Sequence, residues 1–513
     1  MVNLGTGCPD LPTWIDLTRA DSRATVDAPT RERVRRSRAV VEKAIEDGAT
    51  VYGVNTGFGK LANLSIDAAR LADLQRNLIV SHATGVGSPL PYEVARLALA
   101  LRIHAVARGS SGVREQLVDH MLAVFNAGLA PVIPAQGSVG ASGDLAPLAH
   151  MALPMIGLGE MWTADGRRVP GAEALRIAGT EPIVLAAKEG LALINGTQIM
   201  TAGGLVTLHR ALQCSKAADI ACAMTIEALR ASVRPMLPAV HEVRPHPTQQ
   251  QTAANIRALL ADSEILQSHV GCSKVQDAYS MRCAPQVHGA SKRAIEHARD
   301  VLLIEASSVT DNPLVFADGD VVSAGNFHGQ PVSQALDFLA IGTATLANIS
   351  ERRTENLVNP DISGLPAFLA AEPGLESGFM IAQVTAAALA SENKTLAHPA
   401  SVDTVPTSAN REDHVSMGVT AARHAAKVVS NTVSVLSVEL CAAARGLDLG
   451  ESLRPGRGVE AAYRAIRAVV PPHDGDRELH VDLAAAGRTI RDGDLVAAVE
   501  SAIGPLAHGQ PAS

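Results

Sequence analysis

Ala141-Ser142-Gly143 lies at the centre of the run from Gln136 to His150 and offers a chemistry that no single side chain has. If the Gly143 nitrogen folds back on the Ala141 carbonyl carbon, and water leaves there and from the Ser142 side chain, the chain closes an electrophilic ring. That ring would be a methylidene-imidazolone, built from protein alone. Glycine tolerates the contorted backbone this needs, because it has no Cβ. The same small residues also suit an ordinary turn, with Asp144 as N-cap of the apolar stretch that follows.

Other polar residues stand at positions where chemistry is possible. Tyr52 opens the glycine-rich stretch Tyr52-Gly53-Val54-Asn55-Thr56-Gly57-Phe58-Gly59-Lys60, which fails as a phosphate loop: Gly53 to Gly59 is one residue too long, and Leu61 replaces Ser or Thr. His82 ends a helical pattern, where a histidine commonly serves as a cap. Asn195 interrupts an apolar run and needs a partner, as a structural bond-maker or a substrate contact. Gln276, Tyr279 and Arg282 recur every three residues, on one helical face or one side of a loop. The Arg282 fork suits a carboxylate and Tyr279 could move a proton, although a surface ion-pair helix reads the same way. Gly325 to Pro331, with Phe327, is a turn by composition, and Ser408 to His414 a polar loop or helix start with Glu412 a possible capping residue.

The elements that must hold these residues are helices. Apolar residues make up 47% of the 513 and aromatics only 3%, so the core is aliphatic and alanine-rich. Residues 1 to about 30 read as polar and irregular. Helical spacing follows over Arg31 to Asp47, and long apolar runs cover Phe379 to Ala397 and Ala421 to Ala444. Several helices of that length imply a bundle. The expected architecture is mainly α, a long central helical bundle with a smaller N-terminal domain carrying mobile loops. Residues 1–110 would form that domain, with the Tyr52 loop, and 111–513 the helical domain. The last sixty residues add little.

Composition also narrows the partners. A net charge of −8, from 44 basic and 52 acidic residues, gives no electrostatic case for nucleic acid or an anionic membrane. The six cysteines are scattered and read as reduced thiols of a cytoplasmic protein. Met1 to Gly5 show no basic region followed by an apolar one, so no secretion signal is expected, and no uninterrupted apolar run of about twenty residues is read from the sequence. None of the 17 histidines forms a recognised ligand motif, so no metal is expected.

Taken together, these residues resemble the aromatic amino-acid ammonia-lyases. The resemblance rests on Tyr52, His82, Ala141 to Gly143, Asn195, Gln276 to Arg282, Phe327, Glu351-Arg352-Arg353, Ser391-Glu392-Asn393-Lys394 and Glu412-Asp413-His414, in family order, from about residue 30 to about 450. It implies that Ala141, Ser142 and Gly143 become the methylidene-imidazolone group, with Asp144 and Phe327 shaping the cyclisation and no external cofactor. It implies that Arg282, helped by Asn195, clamps an amino-acid carboxylate, that Tyr52 or Tyr279 handles the β-proton, and that Gln276 lines the pocket. It also implies a homotetramer whose active sites draw on more than one subunit.

The reaction explains the parts. Ammonia elimination removes a weakly acidic β-proton and expels a poor leaving group, so an electrophile that captures the substrate splits one prohibitive step into easier ones. His82 and Glu412 supply polar partners where a phenyl-binding site would be apolar, and they match the histidine-acting pattern within the family. L-Histidine is therefore expected to give trans-urocanate and ammonia. Tyrosine- or phenylalanine-acting lyases, aminomutases, and a non-enzymatic helical scaffold with an ordinary Ala-Ser-Gly turn are the alternatives. Arg411 stands where glutamine is expected in many relatives and could weaken the imidazole contact by pairing with Glu412.

Overall fold

The computed structural model describes residues 1–51, 53–57, 66–271 and 275–508. The protein is mainly α-helical, and the strands among the described residues are two to four residues long, in small sheets. The expected amphipathic helix runs Ala28–Glu46, started by Asp27, whose side chain accepts from the Thr30 amide, and by Pro29 in the first turn. The two long apolar runs are the helices Met380–Leu396 and Gly418–Asp448. The latter is long and apolar enough to cross a membrane, yet 78% of its most apolar window is buried in the protein, as in a core helix.

Two stretches differ from their sequence reading. The first 30 residues contain a helix, Leu11–Asp16, capped by Asp10 and burying Trp14 completely. A Pro12 that punctuates a loop serves equally well in the first turn of a helix. The last sixty residues form three helices, Arg457–Arg467, Leu479–Arg491 and Asp494–Ile503.

The chain divides into two compact units, each assembled from three stretches. The first comprises Met1–Val206, Arg299–Asp337 and Pro399–Arg423 and carries the Ala141 to Asp144 loop. Within it the helix Leu71–His82 packs against Leu145–Ala152 and Glu189–Ile194, which brings His82 to the side of the loop.

The second unit comprises Thr207–Ala298, Phe338–His398 and His424–Ser513. Its core holds a chain of charged residues with no exposed side-chain surface. Arg353 donates to Glu439 at 2.5 and 2.9 Å, and Thr225 donates to the same carboxylate at 2.8 Å. Arg353 also reaches His288 at 3.2 Å, and His288 meets Asp219 at 2.8 Å, where Lys292 adds a 2.6 Å ion pair. A further Arg353 nitrogen bond, 3.3 Å to the Ser280 carbonyl, anchors the turn that carries Tyr279 and Arg282. Arg353 of the Glu351-Arg352-Arg353 motif thus holds that turn.

A buried charge left without its partner costs about 3–5 kcal/mol. Arg353→Met should lower the melting temperature accordingly, and Arg353→Lys should recover only part, because an ammonium cannot reproduce the two-pronged contact. A wild-type melting curve for Arg353→Met would contradict this account of the core.

Candidate active site

The Ala141 to Asp144 loop is held from two sides. Gly143 has φ +73° and forms an isolated bridge with Gly196, while the Asp144 amide donates to the Gly196 carbonyl at 2.7 Å. A Cβ on Gly143 would lie 2.1 Å from the Gly196 oxygen, backbone that cannot swing away. Glycine is therefore required by conformation and by space. On the other side Met417 donates its amide to the Val139 carbonyl at 2.9 Å, and the buried Ser416 hydroxyl donates to the Gly140 carbonyl at 3.3 Å.

Asp144 does cap a helix, but not its own. Its Oδ2 accepts from the amides of Ile199 and Met200, both at 2.9 Å, at the start of the helix Gln198–Ala228, and it makes no side-chain cap bond to Leu145–Ala152. Helix N-termini leave such amides without internal partners, and a carboxylate satisfies them and the positive end of the dipole together. Burial pushes the Asp144 carboxyl up to about 7, opposed by the two amides and by Arg102. Glu305, also raised by burial, accepts from Thr197 at 2.5 Å one turn away.

In front of the loop is a cavity of about 250 Å³ lined by His82, Ala141, Gly143, Thr407 and Glu412, among others. His82 ends its helix, with Nδ1 3.1 Å from the Ser81 hydroxyl, and burial lowers its proton affinity so that the ring is neutral at pH 7. Glu412 is not a helix cap. It pairs with Thr407 in an isolated antiparallel bridge, accepts from the Thr407 hydroxyl at 2.8 Å through Oε2, and faces the Ser142 hydroxyl at 3.5 Å through Oε1. Its carboxylate is thus directed to Thr407 and Ser142, while Arg411 is exposed.

The remaining candidates lie elsewhere. Asn195 is buried, its amide donating to the Asn312 carbonyl at 2.8 Å, and its Oδ1 has no hydrogen-bond partner. Phe327 is half-buried in the turn before the helix Gln330–Val358. Within the second unit, Gln276 and Arg282 line a separate cavity of about 730 Å³. Gln276 lies outside the helix, which covers only Tyr279–Arg282, so the regular spacing is not one helical face. Tyr279 is 70% exposed, and the Arg282 guanidinium lies 4.6 Å from its ring centre. Tyr52 lies outside the described residues. Among the described residues no group of three or more His, Cys, Asp or Glu could hold a metal.

Sequence reasoning passed over Arg102. Its side chain is wholly buried, one nitrogen donates to the Asn195 carbonyl at 2.5 Å, and burial lowers its proton affinity only to about 10, so it stays charged. Beside it Lys188 and Asp311 form a buried 2.7 Å pair. The signal was available: Leu101-Arg102-Ile103 breaks an apolar helix as Asn195 breaks its own run.

Two predictions follow from this geometry. Gly143→Ala should displace the Gly196 contact and lower the melting temperature; retention of wild-type stability would show that the loop is not pinned there. Because the folded Asp144 holds its proton well above the ordinary carboxyl range, its contribution to stability is present at low pH and lost as pH rises through about 7. Asp144→Asn keeps an acceptor for both amides, so between about pH 5 and about pH 8 it should lose less stability than wild type. Equal slopes for the two proteins would contradict the assignment.

The chain matches the family model for aromatic amino acid lyases over residues 10–468. It is 52% identical over 489 residues to a histidine ammonia-lyase of Myxococcus xanthus (strain DK1622), covering 95% of this chain and 96% of that one. A histidine ammonia-lyase of Anaeromyxobacter sp. (strain K) is 55% identical over 483 residues, covering 92% and 95%. Among solved structures, the histidine ammonia-lyase of Trypanosoma cruzi superposes with a TM-score of 0.91 at 44% identity, covering 100% of this chain and 99% of that one. The tyrosine aminomutase of Streptomyces globisporus gives 0.92 at 37% identity, covering 98% of each. With the family model spanning most of its length and relatives above half identity, this chain belongs to the aromatic amino acid lyase family.

Proposed function

We propose that this protein eliminates ammonia from L-histidine to give trans-urocanate, in the cytoplasm, using a methylidene-imidazolone group formed from Ala141, Ser142 and Gly143. The observation that carries the reading is that Ala141 and Gly143 share one cavity with His82 and Glu412. The 52–55% identity to proteins named histidine ammonia-lyase supports the same reaction. The loop suits the group: the third residue has positive φ and no room for a side chain, and Asp144 Oδ1 is buried without a partner beside it.

When formed, the group supplies an electrophilic carbon at the cavity wall. The chain's own residues do the rest. Asp144 holds the loop against the N-terminus of Gln198–Ala228, which keeps the wall rigid. Glu412 accepts a hydrogen bond from the substrate imidazole through Oε1, and neutral His82 offers a second polar partner. Arg282 binds the carboxylate, helped by Asn195, Gln276 lines the pocket, Phe327 helps shape the cyclisation, and Tyr52 or Tyr279 takes the β-proton. Assembly into a homotetramer, with active sites drawing on more than one subunit, belongs to the same proposal. The polar pair His82 and Glu412 favours histidine over phenylalanine or tyrosine, which offer no hydrogen-bonding ring nitrogen.

Urocanate, coumarate and cinnamate are distinguishable by ultraviolet absorbance, so turnover of the three amino acids is the direct test. Urocanate from histidine is expected, and cinnamate or coumarate instead would overturn the substrate assignment. Intact protein mass should fall short of the sequence mass by two water molecules. Glu412→Ala should lower kcat/KM for histidine by about 10- to 100-fold, the range for losing a hydrogen bond to a charged group.

A further inference from the structure

We infer that Thr407 is a positioning residue for substrate specificity: its hydroxyl locks one oxygen of Glu412 so that the other is presented to the substrate imidazole. The inference rests on the histidine-acting reading above and adds to it a residue that acts through Glu412.

Three observations carry it. The Thr407 hydroxyl donates to Glu412 Oε2 at 2.8 Å, and a hydroxyl has a single proton to donate. That bond orients the carboxylate plane and leaves Oε1 toward Ser142 and the cavity, 3.5 Å from the Ser142 hydroxyl. A free glutamate side chain would sample several rotamers and lose entropy on every binding event; one already tied at Oε2 is pre-organised.

Second, the backbone places the pair opposite each other. Thr407 donates its amide to the Glu412 carbonyl at 2.9 Å and accepts from the Glu412 amide at 3.4 Å. Thr407 itself is extended, and its branched Cβ restricts the hydroxyl to few rotamers. Third, the intervening turn is strained. Ser408, Ala409 and Asn410 have φ of 48°, 54° and 64°, the left-handed region that residues with a Cβ seldom occupy in succession. Such strain persists only where surrounding bonds over-determine it, and it gathers at functional sites. Here the bonds that close the turn are those between Thr407 and Glu412.

The variants Thr407→Val, which keeps shape and removes the donor, and Thr407→Ser, which keeps the donor, test the inference in the full-length protein. Thr407→Val should raise KM for L-histidine about tenfold with kcat changed less than about threefold, and should raise the inhibition constant of trans-urocanate in parallel. Thr407→Ser should return both constants to within about threefold of wild type. Both variants should retain the mass deficit of two waters. The inference is overturned if Thr407→Val binds histidine as wild type does, if Thr407→Ser is as impaired as Thr407→Val, or if Thr407→Val loses the mass deficit or fails to fold. Failure of the histidine reading shows differently, as a wild-type protein that forms no urocanate.

Discussion

One buried carboxylate, Asp144, joins the Ala141 to Asp144 loop to the 31-residue helix Gln198–Ala228. Its Oδ2 serves two amides that the helix Gln198–Ala228 cannot satisfy from within. Loop and helix therefore complete each other: without the carboxylate the helix end carries unpaired donors in the interior, and without the amides the carboxylate has little to offset its desolvation. The Gly143 backbone can approach Gly196 as closely as it does because Gly143 bears no Cβ, and Gly196 in turn leaves room for the Arg102, Gln198 and Thr310 side chains. Moving the loop would break the bonds of Asp144 to Gly196, Ile199 and Met200, which are buried.

Around this joint the first unit concentrates buried charge. Arg102, Lys188, Asp311 and Asp144 are buried and Glu305 is half-buried, with both signs present. The second unit repeats the strategy with Arg353, Glu439, His288, Asp219 and Lys292. Such networks are not an efficient source of stability, since apolar residues of similar volume often do as well. What they provide is geometric definition. Arg353 holds the Ser280 carbonyl and with it the turn bearing Tyr279 and Arg282, and Asp144 holds the loop. In each unit a wholly buried side chain fixes backbone that carries candidate chemistry.

The cavity shows how the Ala141 to Asp144 loop and Glu412 are kept in register. The segment from Thr407 to Met417 closes a strained turn at one end, where it presents Glu412, and bonds to Val139 and Gly140 at the other. Glu412 and Ala141 are thus held by a single short stretch of chain. The tyrosine aminomutase superposes with a TM-score of 0.92, so the fold alone does not assign a substrate.

The helical class and the long helices were legible in the sequence, because each depends on local composition or periodicity. The apolar periods over 31–47, 379–397 and 421–444 became helices with ends displaced by a few residues. The pairing of His82 with Glu412 in one cavity was legible only through family resemblance, since 330 residues separate them. Tertiary structure alone decided which helix Asp144 caps, that Arg102 and Arg353 lie in the core, and that Thr407 holds Glu412. A capping carboxylate, a guanidinium or a hydroxyl advertises its capacity in the sequence. Which partner takes it up depends on segments brought together by packing, and hydrogen-bond donors and acceptors carry no mark of their partners until the chain has folded.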